Sequence, residues 1–250
     1  MSKSDNQASM TGNYSFAEFD TQTSLAEVLA DDVVAQLNNS ISENGMAVMA
    51  LSGGSTPKPL FQELCKRTVD WTRVVITLVD ERWVDEQHEL SNAAFLKRYL
   101  LDELPGKPQF VSLYHPAADV AFSLPPVLEA YCAATGSSLS DPSGFDVVVL
   151  GMGGDGHTAS FFPDADNIRE LLDLHCSAAL LTCDSPTTQV PRVTWSLPMI
   201  LNTSLLALHI TGPGKKAVFE HAVAGGDSSE LPIRAAIFQP TTLLNVYYAD

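Results

Sequence analysis

A doubly wound α/β fold is what this 250-residue sequence predicts, on three observations. Its apolar runs are short, nearly continuous and rich in β-branched residues, as strands buried on both faces of a parallel sheet must be. Segments with helical spacing or helix-opening residues alternate with those runs, the order that builds a mostly parallel sheet with helices on both faces. No repeat, long linker or composition break divides the chain, whose length suits one large domain. We therefore expect a single α/β domain over residues 13–250. The lead-in MSKSDNQASMTG is rich in Ser and Asn and is expected to be disordered through residue 12.

Leu25, Leu29, Val33, Leu37 and Ile41 recur every four residues, one face of a helix that should stop near Gly45. Met46 to Leu51 is too brief for a helix and reads as the first strand, ended by Ser52-Gly53-Gly54. Pro57 opens a helix whose buried face is Leu60, Phe61 and Leu64. Arg73 to Val79 is a second strand, and Asp80 to Leu90 a polar loop. Ser91 caps a helix expected to reach Leu104. Phe110 to Leu113 is a weak strand, and Pro125-Pro126 opens a helix to Thr135. Phe145 to Leu150 is the most strand-like segment of all. Ala178 to Leu181, Leu205 to Ile210 and Leu243 to Tyr248 complete the expected strands, with a helix at Lys215 to Ala224.

Composition narrows the class. Fourteen basic against 30 acidic side chains give a net charge of -16, which repels phosphate backbones and argues against nucleic-acid partners. The four cysteines (Cys65, Cys132, Cys176, Cys183) form no C-x-x-C pair and read as reduced core thiols. The N-terminus lacks the apolar stretch of a signal peptide, and the longest uncharged stretch, Val193 to Gly214, is too polar and too interrupted by Pro to span a bilayer. A cytoplasmic protein, monomeric or a small homo-oligomer, is expected.

In open α/β sheets, ligands bind beyond the carboxyl ends of the strands. After the first strand, Ser52, Gly53, Gly54, Ser55 and Thr56 offer hydroxyls and backbone N–H groups to an anion; an ordinary strand-to-helix turn uses the same residue types. After the second, Asp80-Glu81-Arg82-Trp83 is either a solvated strand end or a site of opposed charges. Gly151 to Gly156 matches G-x-G-x-x-G, yet it does not follow the first strand, and Asp155 with His157 stands where a dinucleotide loop needs small groups. A His held in a glycine-rich strand-end loop suits acid–base work; His88, His115, His175, His209 and His221 read as structural or solvated. Arg82, Arg192 and Lys216 at three strand ends would make a local positive pocket suited to a small phosphate ester. No His, Cys and carboxylate cluster has metal-ligand spacing.

Four segments carry a resemblance: Ser52-Gly-Gly-Ser-Thr-Pro-Lys, Asp80-Glu-Arg-Trp-Val, Leu150-Gly-Met-Gly-Gly-Asp-Gly-His-Thr-Ala-Ser-Phe-Phe-Pro and Gly214-Lys-Lys-Ala. In this order, across roughly residues 20 to 250, the chain resembles the 6-phosphogluconolactonase family. The resemblance implies a Rossmann-like sheet and hydrolysis of 6-phosphoglucono-δ-lactone in the pentose phosphate pathway, with no cofactor and no metal. It implies His157 as general base, Asp155 or Asp80 orienting it, and the glycine loop around Gly153 with a nearby Arg stabilising the oxyanion. Ser52 to Thr56, Arg192 and Lys216 would hold the phosphate.

Two alternatives follow from the same resemblance. Amino-sugar-phosphate deaminases and isomerases of this superfamily carry Asp-Glu-Tyr where this chain has Asp80-Glu81-Arg82, and Asn-Glu-Pro where it has Phe161-Phe162-Pro163; Phe162 cannot exchange a proton. Non-catalytic sugar-phosphate-binding proteins carry an added DNA-binding domain and a damaged His loop, neither of which this sequence shows. One departure from the lactonase pattern is the stretch Ser185 to Pro191, which lacks the Lys that many members place before Arg192.

Overall fold

The computed structural model describes residues 12–250; the expected disorder of the lead-in falls, Gly12 apart, outside the described residues. The chain opens on β1 (Tyr14–Phe19), α1 (Gln22–Asn44), β2 (Ala47–Leu51) and α2 (Lys58–Leu64). It continues through β3 (Val74–Leu78), β4 (Asp80–Arg82), α3 (Asn92–Leu96), β5 (Gln109–Val111), α4 (Leu124–Thr135) and β6 (Phe145–Leu150). The remainder is α5 (Ile168–Leu171), β7 (Leu180–Cys183), β8 (Arg192–Trp195), α6 (Leu197–Leu201), β9 (Thr203–Thr211), α7 (Pro213–Val223), α8 (Ile233–Ile237) and β10 (Leu244–Ala249).

Local chemistry sets the element ends. Thr21 and Ser24 form a reciprocal capping box at the start of α1, and Gly45 closes it in the left-handed region at φ +81°. Ser91 accepts the Ala94 N–H to start α3, which passes into a π-helical turn at Lys97–Leu101 and stops short of Leu104.

Seven strands form one sheet in the order β1-β10-β9-β6-β2-β3-β5, every neighbouring pair parallel. All residues of β2 and β3 are buried, so both faces of the sheet are covered, as expected of an α/β fold. From β2 the chain winds outward to β3 and β5; it then returns to the other side of β2 and winds through β6, β9 and β10. β2 and β6 are therefore the switch point, where connections leave neighbouring strands in opposite directions and open a crevice.

A second sheet, β4-β8-β7, was not anticipated. It is antiparallel, with Asp80 opposite Thr194 and Arg82 opposite Arg192. The polar stretch after Val79 therefore begins as a strand rather than a loop. This small sheet is tied to the large one through Trp195, whose Nε1 donates to the Leu78 carbonyl at 2.9 Å and whose backbone N–H donates to Val79 at 3.2 Å. The Trp195 ring is fully buried against Tyr131 and Phe145, with centroids 4.6 and 5.4 Å away.

Removing that ring should cost about 3–5 kcal/mol, the range for a buried aromatic cut to alanine. Urea unfolding of Trp195→Ala measures it. A loss below about 1 kcal/mol would show that the small sheet does not depend on this anchor.

Candidate active site

Loops from both sheets converge on a cavity of about 230 Å³ at the carboxyl end of β2, β3, β6 and β9. At its centre Ser52 Oγ accepts the Gly151 N–H at 3.1 Å and the Ser52 N–H donates to the Val149 carbonyl at 3.0 Å. These bonds hold the loops after β2 and β6 together over the crevice. Larger depressions of about 530 and 820 Å³ lie elsewhere. The first is lined mainly by apolar and hydroxyl side chains, and in the second Asp146 is already engaged by Ser40 Oγ and the Val48 N–H, both at 2.7 Å.

The Gly151–Phe162 segment presents the histidine. His157 Nδ1 lies 2.6 Å from Asp155 Oδ1, which also accepts the His157 N–H at 3.1 Å. Burial raises the Asp155 carboxyl, but the hydrogen bond and charge of His157 outweigh it and hold the group down at about 2. An ionised carboxylate only accepts, so Nδ1 carries a proton, and in the neutral form of the ring Nε2 is the acceptor. A Cβ on Gly153 would stand 2.1 Å from His157 Nδ1 and 2.4 Å from Asp155 Oδ1, so only glycine leaves room for the pair. The imidazole stacks on Phe162, centroids 4.3 Å apart at 29°. Thr158 Oγ1 donates to the Gly151 carbonyl at 2.8 Å, and Ala159 takes φ +50°, the one positive-φ residue other than glycine among the described residues.

The opposite wall comes from the small sheet. Arg82 and Arg192 are direct cross-strand neighbours, an arrangement that repels unless something negative lies between or beside them. The Nε of each is buried without a partner, while Arg82 Nη1 donates to the Leu90 carbonyl at 2.6 Å. Burial lowers Arg192, partly offset by Asp80. Asp80 Oδ2 accepts Ser160 Oγ at 2.6 Å and lies 3.8 Å from Arg192 Nη1. Asp155 is thus the carboxylate on the imidazole, and Asp80 the one beside the arginine.

Glu81 is fully buried. It accepts the backbone N–H groups of Arg82, Asn92 and Ala93, each at 2.7 Å, and Ser91 Oγ at 3.1 Å. Burial still pushes it up to about 7 against those donors. The three bonds from Ser91, Asn92 and Ala93 fasten the start of α3 to β4, and Asn92 Nδ2 adds a bond to the Asp80 carbonyl at 2.9 Å. Asn92 packs so close to the first glycine loop that a Cβ on Gly53 would meet its Oδ1 at 2.0 Å.

Ser52, Gly53, Gly54, Thr56, Asp80, Arg82, Gly153, His157 and Arg192 all line the cavity. Among the described residues, the N–H groups of Gly53, Gly54, Ser55 and Thr56 donate to no other protein group. Ser55 and Asp155 are not lining residues; Asp155 contributes through His157. Lys216 is corrected. Its ammonium is held by both Glu18 carboxylate oxygens at 2.8 Å, outside the cavity. Lys215 lines the cavity instead, its ammonium on the Met152 carbonyl, and burial lowers its pKa. His209, expected to be structural or solvated, also lines the cavity, as does Asn92. In place of the absent lysine, the stretch before Arg192 is pinned by Asp164, which accepts the Thr187 N–H at 3.0 Å and Thr187 Oγ1 at 2.6 Å. No group of three or more His, Cys, Asp or Glu side chains among the described residues is arranged to hold a metal ion.

Comparison with known proteins accords with this architecture. Residues 20–244 match a family model described as glucosamine-6-phosphate isomerases/6-phosphogluconolactonase. The chain is 41% identical to a 6-phosphogluconolactonase of Rhizobium meliloti over 92% of its own length and 97% of the relative's. A 6-phosphogluconolactonase of Pseudomonas putida is 38% identical over 90% and 88% of the two chains. The crystal structure of a 6-phosphogluconolactonase from Shewanella baltica superposes with a TM-score of 0.88 at 33% identity, over 96% of this chain and 100% of that one. A monomeric glucosamine-6-phosphate deaminase shares the fold at a TM-score of 0.72 and 16% identity, over 92% and 96% of the two chains.

Burial holds His209 down at about 4 from an ordinary 6.5. Between those values the unfolded chain binds a proton that the folded chain does not, so stability falls as pH falls from 6.5 to 4. The full loss is about 3 kcal/mol at ~1.4 kcal/mol per unit. Denaturant unfolding at pH 7 and pH 4.5 should show a smaller acid loss in His209→Leu than in the unmodified protein. Equal losses would show that His209 is not desolvated.

Proposed function

The chain belongs to the glucosamine-6-phosphate isomerase/6-phosphogluconolactonase family, and on that premise we propose that it hydrolyses 6-phosphoglucono-δ-lactone to 6-phosphogluconate, a step of the pentose phosphate pathway, with His157 activating the water. The observation that carries this reading is the His157 imidazole, fixed by ionised Asp155 in a cavity whose other wall bears the paired arginines. That combination suits a reaction needing a neutral base, a developing oxyanion and a phosphate anchor.

His157 Nε2 takes a proton from water as its oxygen attacks the lactone carbonyl carbon. Negative charge collects on the carbonyl oxygen, where the Arg82 guanidinium and the glycine loop supply donors. When the tetrahedral species collapses, the bond to the ring oxygen breaks and the imidazolium returns its proton to that oxygen. The new carboxyl group ionises and releases acid. Asp155 stabilises the imidazolium and keeps its tautomer. The free N–H groups of Gly53 to Thr56, together with Arg192 and Lys215, hold the phosphate and so position the carbonyl.

Amino-sugar-phosphate deamination is the nearest rival on this fold. Phe162 disfavours it, because an aromatic ring lies flat on His157 where that chemistry uses a carboxylate. The acidic composition supports an enzyme without nucleic-acid partners, and a cytoplasmic location is part of the same proposal. No helix among the described residues is long and apolar enough to cross a membrane.

Acid release from fresh lactone, above its spontaneous rate and without added metal or nucleotide, tests the reaction. His157→Asn should lower kcat by about 10²–10⁴ while 6-phosphogluconate still binds; near-full kcat would remove His157 from the mechanism. Arg192→Ala should raise KM roughly ten- to a hundredfold, since a charge-assisted contact contributes about 1.5–3 kcal/mol. Unphosphorylated gluconolactone should show little of that loss. Equal losses on both substrates would make Arg192 a support of the fold rather than of the phosphate.

A further inference from the structure

His209 is a polar interruption in a strand that otherwise needs none. It stands near the carboxyl end of β9, 2% exposed, in the run Leu205-Leu-Ala-Leu-His-Ile. Its Nδ1 is sealed from solvent without a partner, which leaves Nε2 as the nitrogen a ligand can reach; it too bonds no protein group among the described residues. Nearby polar groups are already engaged. Tyr247, its cross-strand neighbour, donates its hydroxyl to Asp32 Oδ2 at 2.6 Å, and the Lys215 ammonium rests on the Met152 carbonyl. An unpaired buried polar ring destabilises a core, so packing alone would favour an aliphatic residue here. The open space that His209 borders is the cavity it shares with His157 and Lys215.

We infer that His209 is a specificity-determining residue whose imidazole Nε2 hydrogen-bonds one hydroxyl of the sugar lactone. The inference rests on the lactonase reading and deepens it. An uncharged imidazole offers one N–H and one acceptor nitrogen, and a hydroxyl is complementary to either. Burial disfavours the charged ring, so a phosphate, for which Arg192 and Lys215 are already at hand, is the poorer match. A site built to hydrogen-bond a substrate hydroxyl rejects the analogue lacking it, because the buried group is then left unpaired.

The test compares 6-phosphogluconate with its 2-, 3- and 4-deoxy analogues by calorimetry, and the corresponding lactones by rate, on the unmodified protein and on His209→Leu. The unmodified protein should bind one deoxy analogue roughly ten- to a hundredfold more weakly than the parent. In His209→Leu the parent should weaken by the same factor, that analogue should not weaken further, and discrimination should fall to about one. His209→Gln, which keeps a donor and an acceptor, should restore part of it. Should His209→Leu not fold, His209→Phe removes the nitrogens while keeping a ring. A protein that binds and hydrolyses the parent, but whose discrimination is unchanged by these substitutions, overturns the role of His209 alone. A protein inert toward the parent lactone overturns the lactonase reading itself.

Discussion

The site depends on one constraint, the side-by-side placement of β2 and β6 at the point where the sheet reverses its winding. Their connections run off in opposite directions, so no backbone fills the space between them. Ser52 Oγ, accepting the Gly151 N–H at 3.1 Å, sets the spacing of the two glycine loops across that gap. Everything else is hung from it. The loop after β2 leaves its N–H groups unbonded to protein among the described residues, and the loop after β6 folds back on itself through Gly153 and Gly156 to present His157.

A second layer of control is electrostatic. A chain of net charge -16 gathers Arg82, Arg192 and Lys215 around one cavity, and burial desolvates Arg192 and Lys215 there. The two arginines stand directly opposite each other across β4 and β8, and Asp80 beside Arg192 outweighs the repulsion from Arg82 but not the cost of burial. Buried Glu81 does not touch the cavity; by accepting three donors from the start of α3 it fixes that turn and thereby Asn92 against Gly53. Phe162 contacts both the His157 imidazole, centroids 4.3 Å apart, and the Arg192 guanidinium, 5.4 Å from its ring centre.

What the sequence revealed follows from how local each signal is. β2, β3 and β6 are legible because strands buried on both faces must be continuous apolar runs. The glycine loops are legible because close approach and positive φ demand glycine. β1 was missed because YSFAEF, an edge strand exposed along its middle, has no apolar run. The small sheet was missed because Asp80–Arg82 and Arg192–Trp195 are short, polar at their ends, and paired across more than a hundred positions of sequence. The choice of Lys216 over Lys215 has the same root. Adjacent helical residues point about 100° apart, and Glu18, which captures Lys216, lies on the unforeseen β1. His209 gave one usable signal that was passed over: a titratable residue at the carboxyl end of an apolar strand, where α/β sheets bind ligands.

The central claim is an orientation, with the reacting carbonyl at His157 and the phosphate at the first glycine loop and Arg192. A crystal structure of the complex with 6-phosphogluconate tests it most directly, since the product carboxylate marks where the carbonyl stood. The account predicts that carboxylate within about 3–3.5 Å of His157 Nε2, with phosphate oxygens on the Gly53 to Thr56 N–H groups and the Arg192 guanidinium. A phosphate lying against His157, with the carboxylate on the glycine loop and Arg192, would contradict it.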